Sequence, residues 1–456
     1  MAREGASFRA RRGVLMEAIA RPDDLYSASQ AAFSESRFDG EPDWVASLRR
    51  DAMASFAKTG FPTAKDEAWR YTNPAPIVRT PFGPAEEAEP GRVEAIPIPG
   101  GEGARLVFVN GAFSAELSRG AFGPATAISL RRALAGEGAV QPRLGRIASR
   151  ARQSFTALNT AFFGDGAFVR IPRGTVLEEP IHIVFVAVPG AGPGVSHPRN
   201  LILAGAESQA RVIETYIGSG GSDGSAPTLT NAVTEISCGE GAILEHTKLQ
   251  RESVSAFHVH RIAVEQGRAS RFDSHNLCFG GSLARTDIDV LFQAEGCECA
   301  LNGLFVTQGS QHVDNHTLID HAKPHCTSRE LYKGILAGKS RGVFHGKVIV
   351  RPDAQKTDAI QTNKNLLLSR EALVNSTPAL EILADDVKCK HGSTIGQLDA
   401  NALFYLRARG IGEEDAKAML TYGFAADLAS RLTVPWVREE VEAFLGGRLV
   451  RATEAA

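Results

Sequence analysis

The chain has 456 residues, of which 43% are hydrophobic and 22% charged, a balance typical of ordinary globular proteins. Its 50 basic and 52 acidic residues nearly cancel, so no nucleic-acid partner is expected, since phosphate binding usually needs a basic face. No stretch approaches the roughly 18 apolar residues of a membrane helix. The six cysteines show no disulfide-framework spacing. We therefore expect a cytoplasmic protein of several domains, with no membrane partner.

The N-terminal third is predicted to be mostly helical. Residues 1–25 are rich in arginine at the start, lack a signal-peptide core and are predicted to be a disordered tail. Residues 26–163 are predicted to form a mostly helical domain, with a Pro-, Gly- and Glu-rich linker at 81–104. A strand at 106–109 and a helix at 146–163 are expected after the linker.

The composition changes at about residue 164, where apolar and polar residues begin to alternate between turn residues. Such alternation predicts short strands, and no long helical stretch interrupts them. Glycine corners recur at Gly241, Gly267 and Gly296, at spacings of 26 and 29 residues. That spacing favours the coils of a parallel β-helix over 164–394, each with two or three short strands. A β-sandwich is the alternative, but it predicts hairpin turns that are scarce here.

The C-terminal segment, 395–456, is predicted to be a helical domain. Asp399 can cap a first helix, which Gly410 ends. A second helix is expected to end at Gly423, and a third to cover about 435–445. The predicted architecture is therefore mainly β, with a solenoid between two helical ends.

Cys389 and His391 are separated by one residue, so on a strand their side chains point to the same face. Thiolate and imidazole are both ligands for iron. Lys388 and Lys390 flank the cysteine and are expected to lower its pKa. The alternative is that Cys389 is simply a core residue, because free cysteines are usually buried.

A second candidate metal site consists of His312, Asp314 and His316, which share a strand face by the same period of two. The competing interpretation is a polar ladder in which each side chain is hydrogen-bonded. Cys297 and Cys299 also share a face and are interpreted as core residues.

The sequence contains no phosphate-binding loop of the form Gly-x-x-x-x-Gly-Lys-Ser/Thr. Any ATP chemistry is therefore expected to belong to a partner, and the chain is not expected to be an enzyme. A β-helix enzyme acting on polysaccharide is a less favoured alternative, since the acids on the coils are scattered.

Several segments carry a resemblance to a known family. They are Glu-Ala-Trp-Arg-Tyr-Thr at 67–72, Gly-Val-Phe-His-Gly-Lys-Val-Ile-Val at 342–350, Gln-Thr-Asn-Lys-Asn at 361–365, Lys-Cys-Lys-His-Gly-Ser-Thr at 388–394 and Leu-Phe-Tyr-Leu-Arg-Ala-Arg-Gly-Ile at 403–411. These segments resemble the SufB/SufD family of iron–sulfur cluster assembly proteins. His-Gly-Ser-Thr at 391–394 is similar to the D-type members.

The resemblance implies a right-handed parallel β-helix that pairs with SufB in a scaffold complex. It implies that His391 and Cys389 hold iron or a nascent cluster transiently, shared with SufB, with no tightly bound cofactor. Sulfur would come from a cysteine desulfurase and its sulfur-transfer partner, and a flavin in the complex stays open. A homodimeric iron-carrying relative and a SufB-like subunit remain alternatives.

The resemblance also implies that the C-terminal helices dock the ATPase SufC, which alone binds ATP. The apolar residues expected to make this contact are Leu403, Phe404, Leu406, Ile411, Met419, Leu420 and Phe424.

Overall fold

The computed structural model describes residues 41–88, 90–101, 103–148, 153–219 and 225–452, so the tail expected at 1–25 lies outside the described residues. The helices are α1 Asp43–Thr59, α2 Ala75–Arg79, α3 Pro90–Glu94, α4 Leu130–Gly136, α5 Ser154–Phe162, α6 Ala400–Ala408, α7 Glu413–Ala429 and α8 Pro435–Ala452, with a 3-10 turn at Glu67–Trp69. The early strands are β1 Gly83–Pro84, β2 Arg105–Val109, β3 Ala112–Arg119, β4 Thr126–Ser129, β5 Ala167–Ile171, β6 Ile181–Ala187, β7 Gly194–Ser196 and β8 Arg199–Ala204. The later strands are β9 Gln209–Gly218, β10 Thr228–Cys238, β11 Ile243–Arg251, β12 Phe257–Gln266, β13 Arg271–Cys278, β14 Leu283–Phe292, β15 Glu298–Thr307, β16 His312–His321, β17 Thr327–Leu336, β18 Arg341–Val350, β19 Asp358–Leu367, β20 Leu373–Ile382 and β21 Lys388–Gly396.

Successive strands alternate between two sheets, which makes the centre of the chain a parallel β-solenoid. One sheet runs β20-β18-β16-β14-β12-β10-β8-β5-β4, and the other runs β21-β19-β17-β15-β13-β11-β9-β6-β2-β3. From β8 and β9 onward, each strand pairs in parallel with the equivalent strand of the next coil. The predicted solenoid with helical ends is confirmed, and each coil has two strands, most of them about ten residues long.

The corners between strands require left-handed backbone, which explains most of the glycine repeat. Gly241 has φ 63° and Gly296 has φ 72°, where a side chain would be strained. In the coil between them the left-handed position falls on Ala269, with φ 52°, and not on Gly267. The glycine spacing therefore indicated the coil, although it did not mark every corner.

The N-terminal region is less helical than its composition predicted, because its strands extend the solenoid. Strand β2 pairs in parallel with β6, and β4 pairs antiparallel with β5. The stretch expected to be a linker at 81–104 contains β1 and α3, and its Val93 and Ile96 are buried against Val107. Burial of these apolar side chains against β2 gives the stretch a defined structure despite its Pro and Gly content.

Helices α7 and α8 lie on the outer face of the sheet that runs from β9 to β21. As expected, the Asp399 carboxylate caps α6 by accepting from the backbone N–H of Asn401. Helix α7 continues past Gly423, because its next turns bury Ala425 and Leu428 against the sheet. No helix among the described residues combines the length and apolarity that a bilayer crossing requires.

Polar contacts fix α7 and α8 to several coils in addition to the apolar packing. Lys333 pairs with Asp427, and Arg251 pairs with Glu440. Thr433 Oγ1 donates to Glu245 Oε2 at 2.6 Å. The helices therefore lie across the solenoid and are joined to more than one of its coils.

Replacing Gly303 in β15 with alanine is expected to destabilise the protein. An added Cβ would lie 2.1 Å from Cε1 of Tyr332, whose ring is buried between the sheets. Overpacking of this kind costs about 1–3 kcal/mol, which should appear as a lower midpoint in urea unfolding. Gly392→Ala is the control, because an added Cβ there has no neighbour within 4 Å. Equal midpoints for the two variants would contradict this account of the interior.

Candidate functional site

Cys389 and His391 lie on the last strand of the solenoid, with their side chains on its inner face. In the parallel pairing with β19, Cys389 is the counterpart of Ala359 and His391 that of Gln361, and both β19 residues are buried. Cys389 is half-buried against the core between the sheets, whereas His391 is exposed. The structure therefore brings the thiol and the imidazole to one face, as their spacing predicted.

The solenoid ends at this site without a cap among the described residues. Strands β20 and β21 are the terminal members of their sheets, so each has one edge without a neighbouring strand. Large apolar side chains are exposed on this last coil, including Leu383 at 56% and Ile395 at 47%. An edge with exposed apolar residues can pair with another chain, and it is usually blunted or covered in natural proteins.

The Cys389 thiol is a weaker acid than expected from the two lysines that flank it in the sequence. Burial, with a further contribution from the nearby carboxylate of Asp358, raises its pKa above the ordinary value. Lys388 and Lys390 point to the other face of β21 and do not lower this pKa, so the expectation from the sequence was wrong. A metal that binds Cys389 must therefore displace its proton.

Two buried polar residues continue inward from His391, one coil at a time. Gln361 is the register neighbour of His391, and Glu330 is the register neighbour of Gln361. Gln361 Nε2 donates to Glu330 Oε2 at 2.7 Å. Burial raises the pKa of Glu330 to about 7. No local sequence pattern predicts this ladder, because its members are about 30 residues apart.

Side-chain hydrogen bonds hold the two strands of the last coil together beside His391. The hydroxyl oxygens of Ser393 and Ser376 are 2.8 Å apart, which joins β21 to β20. Ser376 Oγ then donates to Asn363 Oδ1 at 2.7 Å in the coil below. These contacts fix the inner face on which His391 lies.

The second candidate site, His312, Asp314 and His316, is hydrogen-bonded to its surroundings. His312 Nε2 is 2.8 Å from Thr72 Oγ1, and His316 Nε2 is 3.0 Å from Asp314 Oδ1. Within the described ranges, no three His, Cys, Asp or Glu side chains are grouped so as to hold a metal. The geometry thus favours the polar-ladder interpretation over the metal site.

The same ladder anchors the N-terminal region to the solenoid. The Arg285 guanidinium donates to Asp314 Oδ2 and to the backbone oxygen of Ala68, and it lies 4.2 Å from the ring centre of Trp69. Burial opposes ionisation of Asp314, but the charges of His316 and Arg285 keep its pKa below the usual value. The aromatic motif at 67–72 is therefore a docking segment held by a buried ion pair.

The proposed ATPase-contacting residues differ in exposure. Phe404 is 73% exposed and Met419 is 54% exposed, whereas Phe424 packs against the cluster beneath α7. The remaining members are half-buried, namely Leu403, Leu406, Ile411 and Leu420. Phe404 and Met419 are therefore the members most available to another protein.

A buried polar network between the sheets was not singled out from the sequence. The Glu214 carboxylate accepts from Tyr216 at 2.6 Å and from Thr234 at 2.8 Å, and it lies 3.1 Å from His246 Nε2. Burial opposes ionisation of Glu214, but the contact with His246 and the hydroxyl donors lower its pKa. Alternation alone shows which residues point inward, but not which inward polar residues will meet.

Glu330→Gln is expected to stabilise the protein at alkaline pH and to change little at acid pH. The native pKa of about 7 exceeds the ordinary 4.5, so folding disfavours the ionised carboxylate. Stability is therefore lost as the pH rises from 4.5 to about 7, and at pH 8 the variant should gain up to about 3 kcal/mol. Urea unfolding at pH 4.5 and pH 8 measures this difference. Glu298→Gln, at an exposed carboxylate, is the control, and an equal gain for Glu330→Gln at both pH values would refute the burial argument.

The comparisons with known proteins cover most of the chain. Residues 186–424 match the family model described as SUF system FeS cluster assembly, SufBD core domain, and residues 23–183 match the SufBD protein N-terminal region. An iron–sulfur cluster assembly SufBD family protein of Synechocystis is 32% identical over 88% of this chain and 91% of its own length. The iron–sulfur cluster assembly protein SufD of Escherichia coli is 32% identical over 87% of this chain and 91% of its own length. The chain therefore belongs to the SufBD family.

Proposed function

We propose that the chain is a non-catalytic scaffold subunit of an iron–sulfur cluster assembly complex. In this proposal its last coil pairs with the last coil of SufB, and His391 with Cys389 holds iron or a nascent cluster at the seam. The observation that carries the proposal is that both side chains lie on the terminal strand of a solenoid that has no cap at this end within the described part of the chain. The names of the E. coli and Synechocystis relatives support the assembly role.

The chemistry of the site suits transient holding of metal. Clusters are usually held by four protein ligands, and this end of the solenoid offers one thiol and one imidazole. The remaining ligands must come from whatever covers the edge, so the site is complete only in the complex. Because the raised pKa of the Cys389 thiol lets protons compete with metal, and because His391 is exposed to solvent, the bound metal can also be released.

In the same proposal, the other steps of assembly belong to partners. Sulfur comes from a cysteine desulfurase and its sulfur-transfer partner, and ATP is bound by SufC. This chain then contributes a frame and ligands, with no tightly bound cofactor of its own. The chain could alternatively close its edge with a second copy of itself, and the mass of the purified complex separates the two arrangements.

His391→Ala is expected to abolish cluster formation while the complex still assembles. The side chain is exposed and has no packing role, so its loss removes a ligand without disturbing the fold. Loss of even an outer-shell partner weakens metal sites by about 10–100-fold, so loss of a ligand should leave little cluster absorbance after anaerobic reconstitution with limiting iron.

His325→Asn is the matched control for His391→Ala. His325 is also exposed, but it lies at a corner two coils earlier with φ 59°, a conformation that asparagine tolerates. Cluster loading of the His325→Asn variant should equal that of the unmodified chain. Normal loading in His391→Ala would remove His391 from the mechanism.

We further propose that the exposed face of α6 and α7 docks SufC. Phe404 and Met419 are large apolar side chains exposed on neighbouring helices, and the sequence contains no phosphate-binding loop of its own. Because the later part of α7 and α8 cover the solenoid, removing all three helices would also expose its apolar face. Point substitutions test the docking surface more cleanly.

The double variant Phe404→Asp, Met419→Asp is expected to weaken binding to the ATPase by about tenfold or more, since central apolar contacts dominate interfaces. Calorimetric titration of the ATPase into the purified chain measures the affinity. Val176→Asp is the control, because Val176 is 62% exposed but lies on the solenoid. Unchanged affinity in the double variant would exclude this surface as the docking site.

A further inference from the structure

Cys297 and Cys326 occupy the same position in two consecutive coils of the solenoid. Each directly precedes a strand, β15 and β17, and these strands pair in parallel from Glu298 and Thr327 onward. The backbone N–H of Thr327 donates to the carbonyl oxygen of Cys297 at 2.9 Å, so the pairing extends to the cysteines. Neighbouring strands lie about 4.8 Å apart, which falls within the Cα separation of roughly 4.4–6.8 Å that disulfides require.

The two thiols also point toward each other. Cys297 Sγ lies 3.2 Å from the carbonyl oxygen of Ala294, and Cys326 Sγ lies 3.5 Å from that same oxygen. The two thiols therefore share one acceptor and lie on the same side of the corner. Glu295, two residues before Cys297, and His325, directly before Cys326, are both exposed. The two buried cysteines therefore lie just beneath the surface of this corner.

The two sulfur atoms are chemically unequal. The contact between the two side chains lowers the pKa of Cys297 and raises the pKa of Cys326. By contrast, burial raises the pKa of nearby Cys238 to about 12. One sulfur therefore has the character of a nucleophile and the other that of a resolving thiol, as in reactive dithiols.

We propose that Cys297 and Cys326 form a redox-active dithiol that closes to a disulfide between consecutive coils. With a peroxide as the oxidant, the Cys297 thiolate attacks one oxygen atom and becomes a sulfenic acid, and one water leaves after protonation. The Cys326 thiol then attacks that sulfur, the S–S bond forms and a second water leaves. Two thiols are thus oxidised by one peroxide, which is reduced to two waters, and an external dithiol restores the pair.

The test uses the full chain, reduced under anaerobic conditions, freed of reductant and treated with hydrogen peroxide. The expected product is lighter by two hydrogen atoms and has two fewer titratable thiols than the six of the reduced chain. Peptide mapping without reduction should recover Cys297 linked to Cys326. This measurement is made on the unmodified chain, so it does not depend on whether any variant folds.

Variants separate the two roles. Cys326→Ser should leave a sulfenic acid on Cys297, which dimedone traps, whereas Cys297→Ser should give no adduct at Cys326. Cys278→Ser is the matched control, because Cys278 is equally buried on β13 and should leave the disulfide yield unchanged. Oxidation confined to the more exposed Cys389, or a peroxide-treated chain that keeps all six thiols, would overturn the proposal.

Discussion

Parallel backbone pairing between equivalent strands of successive coils is the constraint on which the other features of this protein depend. It places each side chain about 4.8 Å from its counterpart one coil earlier, so residues some 30 positions apart become neighbours. His391 lies beside Gln361 for this reason, and the rings of His316 and His345 stack with centres 4.9 Å apart. Functional groups are therefore assembled by register along the stack, and no single loop contains a complete site.

The features predictable from the sequence were those with a local period. Alternation and glycine corners indicated the solenoid, and a spacing of two put Cys389 and His391 on one face. Contacts between coils were not predictable, because the coil length varies: Phe257 pairs with Leu283 after 26 residues, whereas Arg341 pairs with Leu373 after 32. Without a fixed period, the sequence could not show that Glu330 lies beneath Gln361. The flanking Lys388 and Lys390 also predicted a lowered pKa for Cys389, whereas burial raises it.

The two ends of the solenoid are built differently. At the N-terminal end, β3 and β4 pair antiparallel with β2 and β5 and end the two sheets with segments of the chain itself. At the other end, β20 and β21 have no such neighbours among the described residues, and the last coil keeps apolar side chains in solvent. Solenoids generally need capping segments at both ends. The C-terminal end of the solenoid is therefore the end suited to contact with another chain. The candidate ligands Cys389 and His391 lie at this end.

The way α7 and α8 cross the outer sheet has a consequence for how the molecule moves. In a simple solenoid each coil contacts only its neighbours, so local opening at one end need not affect the rest. Here one apolar cluster joins the helices to β9, β11, β13, β15 and β17 at once. These coils should consequently open together or not at all, as one cooperative unit. A force applied to α7 or α8 is therefore transmitted directly to the coils in the middle of the solenoid. It does not have to pass through each coil in turn.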